Sequence, residues 1–286
     1  TGQPSLTLIA GYSGVGKSAL VTELHKPIIK HRGYFISGKF DQYQRGIPYA
    51  TIVMAFRSLI QQLLTESESR IARWRQKILE AVGDYGYLII DLIPQVALII
   101  GSQPVIEELP VAEAQNRLHL VFQQFVSVFA SSEYPLVLFL DDLQWMDAAS
   151  FTLLANLMTL PGERNLLFII GAYRDNEVGP THPLMSMLEE LRAQGHVAKT
   201  ITLQPLEEQH VRQILSDTMH YPEKHVAPLA RLVFAKTRGN PFFFFQFVTA
   251  LYQDGMLRFN PEEQCWVWNL EELQARQFTE NVVELM

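Results

Sequence analysis

GYSGVGKSAL, the stretch from Gly11 to Leu20, fits the pattern G-x-x-x-x-G-K-S/T without a mismatch and follows an apolar run at residues 6–10. This order predicts a strand, a glycine-rich loop and the start of a helix. Backbone N–H groups of such a loop close around phosphate, and the helix N-terminus adds its dipole. We expect Lys17 to reach the β- and γ-phosphates and the Ser18 hydroxyl to hold Mg²⁺. The alternative, a glycine-rich turn without a ligand, is disfavoured by the preceding strand and by the register of lysine and serine.

The nucleotide contacts predicted for the loop form one unbroken segment, because a phosphate-binding loop acts largely through its backbone. They are Gly11, Tyr12, Ser13, Gly14, Val15, Gly16, Lys17, Ser18 and Ala19.

A second motif carries two carboxylates. The apolar run PLVLFL at residues 135–140 is typical of a buried parallel strand, and it ends in Asp141 and Asp142. Asp141 is expected to coordinate Mg²⁺ directly or through water, while Asp142 orients or deprotonates the attacking water. The alternative is that the pair caps the following helix, with Asp147 or Ser150 as rival caps.

Composition excludes several classes of protein. The chain has 286 residues, 48% of them hydrophobic, which suffices for one large and one smaller domain. With 30 acidic and 23 basic residues the net charge is −7, the wrong sign for an electrostatic grip on nucleic acid. The single cysteine, Cys265, excludes an intrachain disulfide and a multi-cysteine zinc site, and it suits a cytoplasmic location.

The ends and the apolar stretches indicate neither export nor membrane insertion. The N-terminus lacks the basic and apolar regions of a signal peptide. The most apolar stretch, residues 88–100, is interrupted by Asp91 and Pro94 and is far short of a membrane span. The chain has no initiator methionine and stops at residues 282–286 within an apparent helix, so we expect a piece of a longer polypeptide.

Apolar runs alternate with helical patterns, which predicts a parallel α/β sheet. The expected strands are residues 6–10, 33–37, 135–140, 166–172 and 197–203, and the expected helices are 17–30, from about 148, and 184–192. Residues 50–131 form a largely helical insert. The pattern beyond Pro205 is helical, which predicts a nucleotide-binding domain at 1–204 and a helical domain at 205–286.

A phenylalanine-rich segment opens the last long helix. Gly239 can end one helix in the left-handed conformation, Asn240 can cap the next, and Pro241 suits its first position. Phenylalanine occupies 242–245 and position 247, and five such side chains in six positions predict a helix that is buried on several faces.

The segments GYSGVGKSAL, LVLFLDDLQWMD, IIGAYRDNEV and TRGNPFFFFQFV, in this order and spacing, resemble the ATPase module of the STAND signal-transduction class. More narrowly, they resemble the AAA-type ATPase domain of large bacterial sensor proteins that also carry serine/threonine-kinase-like, GAF and histidine-kinase regions. The resemblance covers essentially the whole chain. It implies a P-loop NTPase of the ASCE type, with strand order 5-1-4-3-2 and a small C-terminal helical domain.

By this resemblance Lys17 and Ser18 match the Walker A pair, and Asp141 and Asp142 match Walker B. Arg174, just after strand four, matches the class's sensor arginine beside the γ-phosphate, which makes it a catalytic candidate together with Lys17 and Asp142.

Pro241 matches the Gly-x-Pro element that touches adenine and ribose.

Judged from the residues alone, a surface salt bridge of Arg174 with Asp175 or Glu177 is as good an explanation as the sensor role.

The function implied is Mg·ATP binding with hydrolysis that serves as a signalling switch. Asp142 stands where vigorous ATPases carry glutamate, so hydrolysis is expected to be slow. The expected partners are ATP or ADP and other domains of the same polypeptide, including a winged-helix domain. Two alternatives remain: a P-loop kinase acting on a small molecule, with residues 50–131 holding the acceptor pocket, and a nucleotide-dependent scaffold without turnover.

Overall fold

The structure is a computed structural model that describes residues 4–30, 33–43, 47–105, 110–160 and 166–275. The helix predicted at 282–286 lies outside these residues. The chain forms two compact units. Unit 1 comprises the described parts of Thr1–Ala10 and Ser18–Thr202, and unit 2 comprises Gly11–Lys17 and the described part of Leu203–Met286. The assignment of 1–204 and 205–286 as functional domains stays a prediction.

A parallel five-stranded sheet organises unit 1. Its strands are β1 (Ser5–Ala10), β2 (Tyr34–Lys39), β3 (Leu136–Asp141), β4 (Leu167–Tyr173) and β5 (Lys199–Thr202), in the order β2-β3-β4-β1-β5. This is the predicted order 5-1-4-3-2, and it confirms the P-loop NTPase fold class. The interior strand β3 is buried along five of its six residues, as its unbroken apolar run predicts, whereas edge strand β5 is exposed. All five carboxyl ends meet at one edge of the sheet.

Helices pack on the sheet and also make up most of the predicted insert. Those that lie wholly or mainly in unit 1 are α1 (Lys17–Thr22), α2 (His25–Lys30), α3 (Ala50–Leu63), α4 (Glu68–Val82), α5 (Gly86–Leu92), α6 (Ala97–Ile100), α7 (Val111–Phe129), α8 (Ala148–Met158) and α9 (Pro183–Ala193). Short 3₁₀ turns lie at Gly83–Tyr85, Pro94–Val96, Leu143–Trp145 and Asp175–Glu177. In the part of the chain that the structure describes, no helix is both long and apolar enough to cross a membrane.

Two helices replace the single helix expected at 17–30. The first ends at Thr22 and the second begins at His25. Pro27 has no N–H to donate to the carbonyl of Glu23, and its ring clashes with that carbonyl in a continuous helix. The chain therefore tightens at this point, where the N–H of Leu24 donates to the carbonyl of Val21 over 3.0 Å.

The core of unit 1 joins the insert to the sheet. Phe56 of α3 packs edge-to-face against Phe122 of α7 with ring centroids 5.2 Å apart, and Phe125 packs against Phe129 at 5.1 Å. All four rings are fully buried. Aromatic pairs of this geometry contribute roughly 0.5–1.5 kcal/mol beyond the area they bury. One continuous buried cluster contains these four rings together with Leu138 of β3 and Ile169 of β4, so the helical insert is part of the core of unit 1.

Unit 2 contains three long helices, α10 (Glu208–Met219), α11 (Glu223–Thr237) and α12 (Pro241–Gln253), and a short one, α13 (Leu270–Ala275). It also contains an antiparallel hairpin of β6 (Leu257–Asn260) and β7 (Cys265–Trp268), which the sequence analysis did not predict. Each strand has only four residues, too few for a clear periodicity. The available signals were the Asn260-Pro261 turn and the aromatic run that follows it.

Helix α12 is buried on one face, so the expectation of burial on several faces is wrong. Phe243, Phe244 and Phe247 are buried, while Phe242 and Phe245 are 47% and 62% exposed. Positions i, i+1 and i+4 share one side of a helix, and the other two positions fall on the opposite side.

The local predictions for the start of α12 are confirmed. The side chain of Asn240 accepts hydrogen bonds from the N–H groups of Phe242 and Phe243, and Pro241 is the first helical residue. Both Arg238 and Gly239 adopt the left-handed conformation, with φ of 49° and 73°. A Cβ at Gly239 would overlap the carbonyl oxygen of Leu206, so this position requires glycine.

Candidate functional site

The predicted phosphate-binding loop is stabilised by hydrogen bonds to its own carbonyl groups. Gly11, Gly14 and Gly16 have φ of 149°, 76° and 104°. The ammonium of Lys17 donates to the carbonyls of Gly11 at 2.6 Å and Tyr12 at 2.9 Å. The lysine is buried, and its three N–H donors suit a ligand with several oxygen acceptors.

The other predicted loop residues divide by exposure. Val15 is buried, and its N–H donates to the carbonyl of Tyr12 at 3.3 Å, which forms a turn within the loop. The side chains of Tyr12 and Ala19 are exposed. Apart from the two chain neighbours of Gly16, no atom of the described residues lies within 4 Å of the position that a Cβ would take there.

Within unit 2 the loop contacts the first turn of α12. The amide nitrogen Nδ2 of Asn240 donates to the carbonyl of Ser13 at 2.8 Å, and the N–H of Phe242 donates to the carbonyl of Gly14 at 3.2 Å. Pro241 lies between these two contacts in the chain. The sequence around Asn240 predicts only a helix cap and gives no indication of this bond to the loop.

Ser18 and Asp141, the two predicted Mg²⁺ ligands, lie together in unit 1. The Ser18 hydroxyl donates to Asp141 Oδ2 at 2.8 Å across 123 residues of sequence. Both groups supply hard oxygen atoms, which Mg²⁺ prefers, and Mg²⁺ usually takes only one or two protein carboxylates beside water and phosphate oxygens. The pair fits that ion. Among the described residues no cluster of three His, Cys, Asp or Glu side chains could hold a metal.

The side chain of Asp142 does not cap the 3₁₀ turn or helix α8 that follow it. It has a left-handed backbone, with φ of 55°, and its N–H donates to Asp141 Oδ1 at 3.0 Å. The cap of α8 is Asp147, whose Oδ1 accepts from the N–H of Ser150 at 2.9 Å. The capping alternative for the carboxylate pair is therefore excluded.

Three polar side chains converge on the buried carboxylate of Asp142. Gln144 Nε2 donates to Oδ1 at 2.9 Å, Lys39 Nζ lies 3.2 Å from Oδ2, and Arg174 Nε lies 3.4 Å from Oδ1. Burial by itself raises the pKa of Asp142, but the bonds from Gln144 and Lys39 and the positive charge of Arg174 outweigh it and hold the pKa below its ordinary value. The carboxylate is therefore ionised at neutral pH.

Arg174 makes two ion pairs. Its Nη1 donates to Glu177 Oε1 at 2.8 Å, the salt bridge expected from the residues alone, and its Nε faces Asp142. Its backbone N–H donates to Gln144 Oε1 at 3.2 Å. Burial alone lowers the pKa of the guanidinium, but Glu177 and Asp142 more than offset this and raise it.

Lys39 and Gln144 are site residues that sequence reasoning missed. Lys39 ends β2 and is paired with Asp141 in the register of β2 and β3, so the parallel sheet brings both to its carboxyl edge. A charged residue at the end of a predicted parallel strand was the available signal for Lys39. No sequence signal pointed to Gln144, because its bonds to Asp142 and to the N–H of Arg174 depend on the conformation of the turn after β3.

A cavity of about 400 Å³ opens beside these groups, lined by Lys39, Phe40, Met54, Asp142, Trp145 and Arg174, with Asp41 and Gln42. The lining thus combines two cationic and three apolar side chains with Asp41, Gln42 and Asp142, the carboxylate that is predicted to act on water.

Comparisons with known proteins agree with the motifs. Residues 1–169, more than half of the chain, match the family described as AAA ATPase domain. Hybrid signal transduction histidine kinase G of Dictyostelium discoideum is 28% identical over 347 aligned positions, covering 100% of this chain and 10% of that protein. Histidine protein kinase 1 of Candida albicans is 24% identical over 167 residues, covering 54% of this chain and 7% of that protein.

Among solved structures, a Walker-type ATPase of Pyrococcus abyssi is 18% identical with a TM-score of 0.43, covering 87% of this chain and 63% of that one.

The chain spans a tenth or less of the length of the two histidine kinases that it matches.

Proposed function

Because the chain belongs to the AAA ATPase domain family, we propose that it binds Mg·ATP, hydrolyses it slowly and serves as a nucleotide-dependent switch within a larger cytoplasmic signalling protein. The observation that carries the proposal is the 2.8 Å contact between Ser18 and Asp141. It joins the residue that follows the loop lysine to the end of β3, and it provides the oxygen pair that a Mg²⁺-bound triphosphate requires.

Each group has a defined role in the proposed reaction. The backbone of Gly11–Lys17 binds the phosphates, and Lys17 exchanges its loop carbonyl acceptors for phosphate oxygens. Ser18 and Asp141 would hold Mg²⁺, and a bound Mg²⁺ would supply positive charge to the phosphate oxygens. Asp142 orients the attacking water and accepts its proton.

The environment of Asp142 supports the proposal that turnover is slow. Its carboxylate is engaged by Lys39, Gln144 and Arg174, and their combined effect lowers its pKa, which makes it a weak base. Movement of Arg174 from Asp142 to the γ-phosphate would release one of these restraints. The proposal therefore links recognition of the γ-phosphate to activation of the base.

The signalling role is supported by the two matched relatives, both of which are named as histidine kinases. We propose that further domains of the same polypeptide, of the kinase-like, GAF, histidine-kinase and winged-helix types, receive the nucleotide signal, as in the STAND class.

Lys17→Ala tests ATP binding. We expect calorimetry to show at least a tenfold loss of ATP affinity in a folded protein, because a charge-assisted contact to phosphate is worth about 1.5–3 kcal/mol. Lys26→Ala, which removes an exposed lysine that pairs with Glu23, serves as the charge-matched control. Equal affinity of wild type and Lys17→Ala would contradict the proposal.

A phosphate-release assay separates the proposed ATPase from a scaffold that binds nucleotide without turnover.

The cavity beside Asp142 supports the alternative of a small-molecule kinase, since about 400 Å³ accommodates an acceptor. Phosphate release without any acceptor favours the ATPase, whereas ADP formation that requires an added small molecule favours the kinase.

Hydrogen exchange tests the switch. We expect an ATP analogue and ADP to give different protection at residues 236–250, and Arg174→Ala to erase that difference, because a ligand shifts an equilibrium only by its differential affinity for the two states. Equal protection with both nucleotides in the wild type would leave a nucleotide-binding domain without a switch.

A further inference from the structure

We propose that Asn240 is a positioning residue that sets the geometry of the phosphate-binding loop and couples that loop to helix α12. The inference rests on the proposed function and deepens it. Asn240 lies 227 positions from Ser13 in the sequence, yet it bonds the Ser13 carbonyl at 2.8 Å.

Both ends of the Asn240 amide are used. Oδ1 accepts from the N–H of Phe242 at 3.0 Å and of Phe243 at 3.4 Å, while Nδ2 donates to Ser13. Serine, threonine and aspartate also cap helices well, but a carboxylate has no proton to donate and a hydroxyl is shorter. Only asparagine among the strong capping residues offers an acceptor and a separate donor. The capping requirement alone does not explain this residue.

The bond to Ser13 fixes the direction of a loop peptide. In a planar trans peptide the C=O and the following N–H point in opposite directions. Because the Ser13 carbonyl is directed at Asn240, the N–H of Gly14 is directed away from α12. A loop that binds phosphate through its N–H groups needs this orientation fixed before the ligand arrives.

The packing at Gly14 supports a close, specific contact. A Cβ at this position would lie 2.8 Å from Asn240 Oδ1 and 2.8 Å from the Cβ of Phe242. The carbonyl of Gly14 also accepts from the N–H of Phe242 at 3.2 Å. Two bonds therefore join consecutive loop carbonyls to the first turn of α12, and a change in loop conformation on phosphate binding is passed to that turn.

Asn240→Ser tests the proposal, since serine keeps the cap and loses the reach to Ser13. We expect the Kd for ATP to rise about fivefold, close to 1 kcal/mol at 1.4 kcal/mol per tenfold. The matched control is Asn269→Ser, because Asn269 caps α13 in the same unit by accepting from the N–H groups of Glu271 and Glu272 at 3.1 and 3.4 Å. This control should bind ATP like the wild type.

Thermal unfolding separates positioning from structure. Because both serine variants keep a capping oxygen, their Tm should stay within about 3 °C of the wild type. Suppose that the wild type binds ATP and that Lys17→Ala weakens this binding. An unchanged ATP affinity of Asn240→Ser would then overturn the inference.

Hydrogen exchange of the nucleotide-free protein keeps the inference testable if the wild type fails to bind ATP and the proposed function falls. Exchange in a peptide covering residues 11–17 should rise in Asn240→Ser and stay unchanged in Asn269→Ser. The same exchange in both variants would show that Asn240 does not position the loop.

Discussion

Replacement of Asp142 by asparagine is the sharpest probe of the charge network beside the sheet. Asparagine is nearly isosteric, tolerates the left-handed backbone at φ 55°, and can still accept the bond from Gln144 through its side-chain oxygen. The substitution therefore removes the negative charge with little other disturbance. We expect the free energy of unfolding at pH 7 to fall by about 1 kcal/mol.

The contacts of Asp142 set this magnitude. The Gln144 bond loses its charged acceptor, worth about 1 kcal/mol. The ion pair with Arg174, which is 31% exposed, contributes about 0.5–1 kcal/mol, and that with Lys39, which is 68% exposed, about 0.2 kcal/mol after screening. Relief of the cost of burying the carboxylate offsets part of this sum. The lowered pKa of Asp142 shows that the stabilising contacts outweigh burial, so the net change is a loss of stability.

The pH dependence has a definite sign. A carboxylate whose folded-state pKa lies below its unfolded value stabilises the fold fully above that unfolded value, and the contribution is lost as the pH falls through the folded-state pKa. The difference in stability between wild type and Asp142→Asn should therefore be constant above about pH 5 and should narrow below about pH 4.

Urea unfolding at several pH values measures both effects. Asp91→Asn, at an exposed position on α5, is the matched control and should leave stability within about 0.5 kcal/mol of the wild type. If Asp142→Asn were as stable as the wild type at pH 7, or if the difference widened in acid, the network of Lys39, Gln144 and Arg174 would not stabilise the carboxylate.

Two further predictions test the site and the fold. Asp141→Asn should abolish the Mg²⁺-dependent tightening of ATP binding measured by calorimetry, whereas Asp142→Asn should preserve it; identical responses would refute their separate roles. Phe244→Ala should lower the free energy of unfolding by about 3–5 kcal/mol, since its ring is buried, while Phe245→Ala, at a 62% exposed position, should change it by about 0.5 kcal/mol or less. Similar losses in urea unfolding would contradict the one-sided burial of α12.

Local patterns were sufficient for the elements that depend on neighbouring residues. The strand, loop and helix around GYSGVGKSAL, the buried strand before Asp141, and the cap and first turn at Asn240 and Pro241 all follow from side-chain chemistry within a few positions. The single helix expected at 17–30 failed for a reason also visible locally, since Pro27 interrupts it. The strand order came from the family resemblance rather than from these local patterns.

Only the tertiary structure decided which distant groups meet. Lys39 reaches Asp142 because β2 and β3 are parallel neighbours with their carboxyl ends at one edge, and Asn240 reaches Ser13 because α12 packs on the loop within unit 2. The exposure of Phe242 likewise depends on which face of α12 packs against the rest of unit 2. Sequence periodicity encodes the conformation of a segment and its apolar face. The partners of a polar side chain are set instead by the packing of segments far apart in the chain, and this packing gives Asn240 its second role.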